Sequence, residues 1–174
     1  MTPNPSNAAG QSADFTISRV FDAPRELVWK AFTDPERMRH WWGPKGFKVK
    51  VSKMDLRVGG RYHYALEASN GEIMWGKMAF CEIAPPQRLV WINSFSDETG
   101  GTARHPWHMS WPLEMFTLVT FEEQNGRTLL TVRWSPHNAT EEECKTFDAG
   151  RDSMRMGWTG TLDQLDIYLK AAAK

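Results

Sequence analysis

The sequence has little cysteine, no net charge and no long apolar run, and each shortage argues against a class of protein. Two cysteines, Cys81 and Cys144, in 174 residues make no disulfide framework, so a reducing cytoplasm is the expected location. Basic and acidic residues number 21 each, which gives no support for nucleic acid or an anionic membrane surface as partner. No apolar stretch approaches the roughly 20 residues of a membrane-spanning helix.

Motifs for common chemistries are also missing. The chain has no Gly-x-Ser-x-Gly, His-Glu-x-x-His or glycine-rich phosphate loop. His105 and His108 have a spacing that some metal sites use, but a third ligand is wanted and nothing supports the nearby Glu114 as one. A histidine in solvent, or one on a binding loop, explains the pair better. We therefore predict neither a metal nor a cofactor.

The N-terminal residues differ in composition from the rest. Residues 1–13 contain mainly Pro, Ser, Asn, Ala and Gly, with neither a basic region nor an apolar stretch. This composition predicts a disordered tail rather than a signal peptide. The remaining residues, 14–174, have the length of a single domain.

Large apolar side chains are the abundant feature: the chain has nine tryptophans, nine phenylalanines and nine methionines. Such residues supply bulky, adaptable surface in cores and in pockets for apolar ligands.

The first part of the domain predicts one strand and two short helices. Residues 15–21 alternate apolar and polar, as a half-buried strand does. Pro24 then marks an early helical position, with Asp22 or Ala23 at the N-cap. A second short helix is expected to begin at Asp34. The apolar face of the first helix consists of Leu27, Val28, Ala31 and Phe32.

From residue 47 the apolar period changes from 3.6 to 2, which predicts strands near 47–51, 62–66, 73–83, 89–95, 113–122 and 128–134. Asn70-Gly71 and Asn125-Gly126 are hairpin signals. Pro85-Pro86 forces a corner, because proline cannot sit inside a strand ladder. Sequential strands with short turns predict an antiparallel sheet with one face on the core.

Residues 96–112 interrupt the alternating strand pattern, because they contain glycines, prolines and the aromatic residues Trp107 and Trp111. Connections of this length are often lids or binding loops. An insertion that merely covers a sheet edge is the alternative, and the sequence favours neither.

The C-terminal region predicts a short helix followed by a long one from about Arg151. Thr140 and Glu143 form a capping box, and helix-dipole stabilisation accounts for the acidic run Glu141-Glu142-Glu143. Gly150 and Gly157 are candidate breaks. One apolar stripe runs along both helices and contains Phe147, Met154, Trp158, Leu162, Leu165 and Leu169.

These elements predict an α+β fold in which a curved antiparallel sheet of six to seven strands wraps around the long C-terminal helix. A sheet of this size twists and curls, and only the terminal helix is long enough to cover its apolar face. Because a curled sheet cannot contact a straight helix along its whole length, we expect a cavity between them.

This order of elements resembles the helix-grip fold of the START/Bet v 1-like (SRPBCC) superfamily. Within it, the chain is similar to the branch of Hsp90 ATPase activator homologues (AHSA1-like proteins), which is grouped with polyketide cyclases. The matching segments are 21–29, 41–44, 58–62, 82–90 and Gly157-Trp158 with Leu162, Leu165 and Leu169. The resemblance covers roughly residues 14–170 and implies a hydrophobic cavity, but it transfers no catalytic motif. Residues 96–112 are longer than a minimal member needs.

The candidate ligand-binding residues are Tyr62, Tyr64, Trp75, Trp91, His108, Trp111, Met154 and Trp158. Tyr62 and Tyr64 share a strand face with Leu66, whereas the pattern does not settle the directions of Trp75 and Trp91. Plain core packing explains the aromatic strand residues, Met154 and Trp158 equally well. The adjacent Trp41 and Trp42 are expected to plug one end of the core, with a ligand-stacking rim as the alternative.

The main functional hypothesis is a protein that binds a small hydrophobic molecule in the cavity, as a monomer or homodimer. The first alternative is a cyclase- or dehydratase-type enzyme that uses Tyr62, His63, Tyr64 and His108 for proton transfer. The second alternative, implied by the resemblance, is a chaperone-interaction module.

Overall fold

The computed structural model describes residues 12–173, which form an α+β fold, as predicted. The elements in chain order are β1 (Phe15–Phe21), α1 (Arg25–Thr33), α2 (Pro35–Met38), β2 (Lys48–Met54), β3 (Arg61–Glu67), β4 (Ile73–Ala84), β5 (Arg88–Ser96), β6 (Thr102–Ala103), β7 (Glu114–Gln124), β8 (Arg127–His137), α3 (Glu141–Ala149) and α4 (Arg151–Ala172).

All strand pairs in the sheet are antiparallel, and the strand order is β1-β8-β7-β5-β4-β3-β2. The two-residue strand β6 pairs with β5 beside this path and was not predicted. The β7–β8 hairpin turns at Asn125 and Gly126, whose φ angles of 55° and 83° fit the predicted Asn-Gly turn. Register shifts at Val49/Val51 and Phe80/Glu82 add local bending to the curved sheet.

Helix α1 starts one residue later than its sequence signal suggested. Pro24 itself is the N-cap, and no side chain caps the helix, so the prediction of Asp22 or Ala23 was wrong. Trp29, absent from the predicted apolar face, is buried, and it packs on Phe121 with ring centroids 5.2 Å apart. In α2, the Asp34 side chain accepts a hydrogen bond from the Glu36 N–H, as expected for an N-cap.

The C-terminal region divides at Gly150, as predicted, and the long helix begins at Arg151. Gly157, the other candidate break, lies inside α4. At the other end of the chain, the single O–H of Ser12 is shared between the Cys144 carbonyl oxygen at 3.1 Å and the Asp148 carboxylate at 3.0 Å. Ser12 is therefore held on α3, although we predicted a disordered tail through residue 13; residues 1–11 lie outside the described residues.

The concave face of the sheet and the apolar stripe of α4 form the core, but they do not meet along the whole helix. Leu162, Leu165 and Leu169 are almost fully buried in the C-terminal half of α4. The α4 residues that border a cavity all lie between Ser153 and Thr161. The helix thus packs tightly at one end and leaves the sheet at the other.

Candidate functional site

A cavity of about 640 Å³ lies between the concave face of the sheet and the N-terminal half of α4. Its volume falls within the roughly 300–1,000 Å³ of small-molecule sites. Strands β3, β4, β5, β7 and β8 contribute to its walls, and the β5–β7 connection (residues 97–113) also borders it. The space expected from a curled sheet and a straight helix is therefore present.

Seven of the eight candidate residues border this cavity. They are Tyr64, Trp75, Trp91, His108, Trp111, Met154 and Trp158. The structure thus brings together residues from three strands, the β5–β7 connection and α4. Pattern alone had left core packing as an equal alternative for several of them.

Tyr62 is the exception, because it is fully buried in the core and does not border the cavity. Its hydroxyl shares a 2.8 Å hydrogen bond with Ser52, and its ring stacks on Tyr64 with centroids 5.2 Å apart. Burial raises the pKa of Tyr62 well above its usual value. Tyr62 therefore belongs to the core beside Tyr64 and not to the cavity wall.

Trp75 borders the cavity, but its indole lies on the other face of the sheet. It pairs with Ala65, so strand alternation turns it away from Tyr64. There it stacks on His63 with ring centroids 5.1 Å apart, and His63 Nε2 lies 3.2 Å from the Asp97 carbonyl oxygen. His63 therefore faces away from the cavity, and the proposed four-residue proton-transfer cluster does not assemble.

Tyr64 extends flat across the neighbouring strand at Gly76. A Cβ at Gly76 would lie 2.4 Å from the Tyr64 hydroxyl, so only glycine leaves room for the ring. Burial raises the pKa of Tyr64 to about 12, opposed in part by the approaching Trp42 indole N–H, which lacks the alignment of a full hydrogen bond. The Tyr64 hydroxyl is therefore neutral and keeps its proton at physiological pH.

The adjacent residues Trp41 and Trp42 have different positions, one in the core and one at the cavity. Trp41 is buried and donates its indole N–H to the Ala31 carbonyl at 3.0 Å, which is the predicted core plug. Trp42 borders the cavity and makes edge contacts with Tyr64 and Trp158, at 5.8 and 6.1 Å between ring centroids. Only Trp42 is thus positioned to contact a ligand.

Asn93 is the polar cavity residue that sequence reasoning missed. Its side-chain oxygen accepts hydrogen bonds from Thr117 Oγ1 at 2.6 Å and from Trp134 Nε1 at 3.2 Å. Because the indole N–H can only donate, the amide oxygen must be the atom that faces Trp134. This fixes the orientation of the amide. The available signal was a polar residue at an inward position between Trp91 and Phe95 in an otherwise apolar alternation.

The β5–β7 connection lies over the cavity and is anchored to α3 by Glu143. Thr140 Oγ1 accepts the Glu143 N–H, as the capping box predicts. The Glu143 carboxylate, however, accepts the Leu113 N–H at 3.1 Å and lies 3.4 Å from Arg104. Glu143 is only 7% exposed. A carboxylate that we had assigned to helix-dipole stabilisation therefore fastens the connection.

Aromatic contacts also hold this connection in place. Trp111 packs between Trp134 and Phe147, at 5.9 and 6.0 Å between ring centroids, while Trp107 remains 59% exposed. Trp107, His108 and Trp111 all border the cavity, which favours the binding-loop interpretation over a plain edge cover.

His105 makes the connection sensitive to acid. Its Nδ1 accepts the Trp107 N–H at 3.1 Å, so protonation at Nδ1 removes this hydrogen bond. Burial and, to a smaller extent, the nearby His108 lower the pKa of His105 below 6.5. A lowered histidine pKa means that the folded protein favours neutral His105. The contribution of neutral His105 to folding stability is therefore complete above about pH 6.5 and is lost as the pH falls further.

We expect acidification from about pH 8 to pH 5 to speed hydrogen exchange at the Trp107 and Trp111 amides several-fold, beyond the intrinsic pH effect. His105→Asn is the matched variant, because the asparagine side-chain oxygen can accept the same N–H without titrating. Mass-spectrometric hydrogen exchange measures both proteins. An identical pH response in the two would contradict this role for His105.

The described residues show neither a metal-binding cluster nor a membrane-spanning helix. Residues 12–173 contain no group of three or more His, Cys, Asp or Glu side chains arranged to hold a metal ion. None of the helices in the same range has the length and apolar character needed to cross a membrane.

Comparisons with solved structures show the fold. A protein from Nitrosomonas europaea superposes with a TM-score of 0.72 at 23% identity, covering 95% of this chain and 98% of that chain. A protein from Arthrobacter aurescens gives 0.72 at 26% identity, with coverages of 91% and 86%. The protein called AHSA1 from Silicibacter pomeroyi gives 0.66 at 19% identity, with coverages of 92% and 99%.

Among curated proteins, none matches this chain. The family model described as "Activator of Hsp90 ATPase homolog 1-like protein" matches residues 22–170, which is most of the sequence. This match and the helix-grip architecture agree with the resemblance read from the sequence. The chain belongs to the activator of Hsp90 ATPase homologue 1-like family, within the SRPBCC (Bet v 1-like) proteins.

Proposed function

We propose that this protein binds a small hydrophobic molecule in the cavity between the sheet and α4. The observation that carries the proposal is the cavity itself, which has about 640 Å³ of space and a mainly aromatic and aliphatic wall. Apolar side chains around a space of this size offer water few hydrogen-bond partners and gain packing contacts when an apolar guest fills it. An apolar guest would gain contacts with the rings of Trp42, Trp91 and Trp158.

The charge of the wall supports the same proposal. The described residues that border the cavity include no Lys, Arg, Asp or Glu, although charged residues make up 24% of the chain. Transfer of a charged ligand into such a wall would carry a large desolvation cost. The cavity is therefore suited to a guest whose surface is mostly apolar.

The enzyme alternative lacks a matching arrangement. Only Tyr64 and His108, of its four candidates, border the cavity. Tyr62 is bonded to Ser52 in the core, and His63 lies on the opposite face of the sheet. The chaperone-interaction alternative rests on the family description alone, and no contact among the described residues favours it over binding.

Fluorescence titration with N-phenyl-1-naphthylamine tests the proposal, because this neutral dye brightens in apolar surroundings. We expect a saturable increase with one dye per chain and a dissociation constant on the order of micromolar. Unlabelled apolar molecules should displace the dye. A signal that rises linearly without saturation, or that survives an excess of competitors, would contradict a defined site.

A further inference from the structure

The cavity wall holds a hydrogen-bond donor with a fixed direction. The Asn93 amide oxygen accepts hydrogen bonds from Thr117 and Trp134, so its NH₂ group takes no part in these two bonds. This NH₂ group makes no hydrogen bond to any described residue, and it is not among the buried unpaired atoms. Asn93 borders the cavity. Its two N–H groups are therefore available to a guest.

The Tyr64 hydroxyl is a second unpaired donor on the same face of the sheet. It bonds to no described residue in acceptable geometry, and its high pKa keeps it protonated. It lies over Gly76, which pairs with Phe95 on β5. Asn93 is two residues from Phe95, about 7 Å along the strand. The hydroxyl and the amide thus face one region of the cavity.

The Asn93 amide and the Tyr64 hydroxyl, together with the Trp42 indole N–H that is buried without a partner among the described residues, require a guest that carries a hydrogen-bond acceptor. A guest without an acceptor would displace the water that hydrogen-bonds to the Asn93 and Tyr64 donors and would offer no hydrogen bond in its place. Donors left unsatisfied in this way weaken binding. An acceptor oxygen on the guest satisfies them. A carboxylate would offer acceptors too, but the described residues that border the cavity include no Lys or Arg to balance its charge. On the β5–β7 connection, burial lowers the pKa of His105, which favours its neutral form.

We propose that the guest is a neutral, mainly apolar molecule with a carbonyl-type acceptor oxygen, which is bound by the Asn93 amide and the Tyr64 hydroxyl. This inference rests on the proposed function, since it names the chemical class that the cavity takes. It assigns Asn93 and Tyr64 the role of selecting the guest, while the tryptophans supply contact area.

Three naphthalenes of similar shape test the inference by displacement of N-phenyl-1-naphthylamine at about pH 8. They are the neutral ketone 2-acetylnaphthalene, the hydrocarbon 2-isopropylnaphthalene and the anion 2-naphthoate. We expect the ketone to bind about tenfold more tightly than the hydrocarbon after correction for their transfer from water, and the anion to bind most weakly. Tyr64→Phe and Asn93→Asp should each reduce the ketone preference to about threefold or less.

The variants are chosen so that the protein keeps its fold. Tyr64→Phe removes a hydroxyl that makes no full hydrogen bond to a described residue, and Asn93→Asp retains the oxygen that accepts from Thr117 and Trp134. Tyr62→Phe is the matched control, because it makes the same change outside the cavity. It should lower stability through the lost Ser52 bond and leave the ketone preference unchanged.

The outcomes separate this inference from the proposed function. If the wild-type protein binds the dye but has equal affinity for the ketone and the hydrocarbon, the inference is overturned and the proposed cavity function stands. Binding of 2-naphthoate as tight as that of the ketone would overturn the requirement for a neutral guest. Failure of the dye and all three naphthalenes to bind would overturn the proposed function itself.

Discussion

Gly157→Phe is expected to weaken binding of N-phenyl-1-naphthylamine at least about tenfold while the protein stays folded. Gly157 borders the cavity from α4, and a Cβ placed there meets no atom within 4 Å. A phenylalanine would therefore extend into the open space that we assign to the guest. Glycine is also among the poorest residues for a helix interior, so the change should raise the free energy of unfolding by about 1 kcal/mol.

Met156→Phe is the matched control for this prediction. Met156 is the preceding residue on α4 and is 76% exposed, so the same aromatic ring would lie in solvent. We expect its dye affinity to equal that of the wild-type protein. Fluorescence titration and urea unfolding of the two variants give both quantities. Undiminished dye binding by a folded Gly157→Phe variant would contradict the assignment of this cavity as the site.

Glu143→Ala is expected to lower the free energy of unfolding by about 2–3 kcal/mol, the second large effect. The substitution removes the acceptor of the Leu113 N–H and the partner of Arg104 in a nearly buried position. A part-buried N–H left without its partner, together with the loss of a charge-assisted hydrogen bond, costs energy of this order. The β5–β7 connection should consequently open more often.

Glu142→Ala provides the comparison, because Glu142 is an exposed acidic residue in the same first turn of α3. Its loss should cost no more than about 0.5 kcal/mol. Urea unfolding measures both changes, and limited proteolysis within residues 97–113 reports on the connection. Similar stabilities and similar cleavage rates for the two variants would show that Glu143 does not anchor the connection.

Periodicity predicted most of the fold because burial of one face imposes a repeat on the sequence. The stripe from Met154 to Leu169 predicted which side of α4 faces the sheet, and the break at Gly150 followed from helix length. The 3.6-to-2 change of period near residue 47 predicted the strands. The β6 strand was missed since two residues are too short to show any period.

The same periodicity could not separate cavity residues from core residues. Tyr62 and Tyr64 lie on one face of one strand and look alike in the sequence, yet only Tyr64 borders the cavity. Tyr62 is covered near α2, where its hydroxyl bonds to Ser52 and Ser52 bonds to the Pro35 carbonyl. Contacts between elements so far apart in the chain leave no periodic signal. Trp75 illustrates a related limit, because its register relative to Ala65 decides which face carries the indole.

The residues that sequence reasoning missed are small or polar and were interpreted locally. The sequence marks Gly157 as one of two candidate helix breaks, although its position one turn after Met154 places it on the stripe that faces the cavity. Glu143 was assigned to the helix dipole because its partner Leu113 lies 30 residues away. Asn93 gave the clearest available signal, a polar residue at an inward strand position, and it was overlooked.

A crystal structure of the protein bound to 2-acetylnaphthalene tests the central claim most directly. We predict density for the ligand between the sheet and the N-terminal half of α4, in contact with Met154 and Trp158, with its ketone oxygen within hydrogen-bond distance of Asn93 Nδ2 or the Tyr64 hydroxyl. Ligand density on the outer surface of the protein, or a cavity closed by α4 packed onto the sheet along its length, would contradict it.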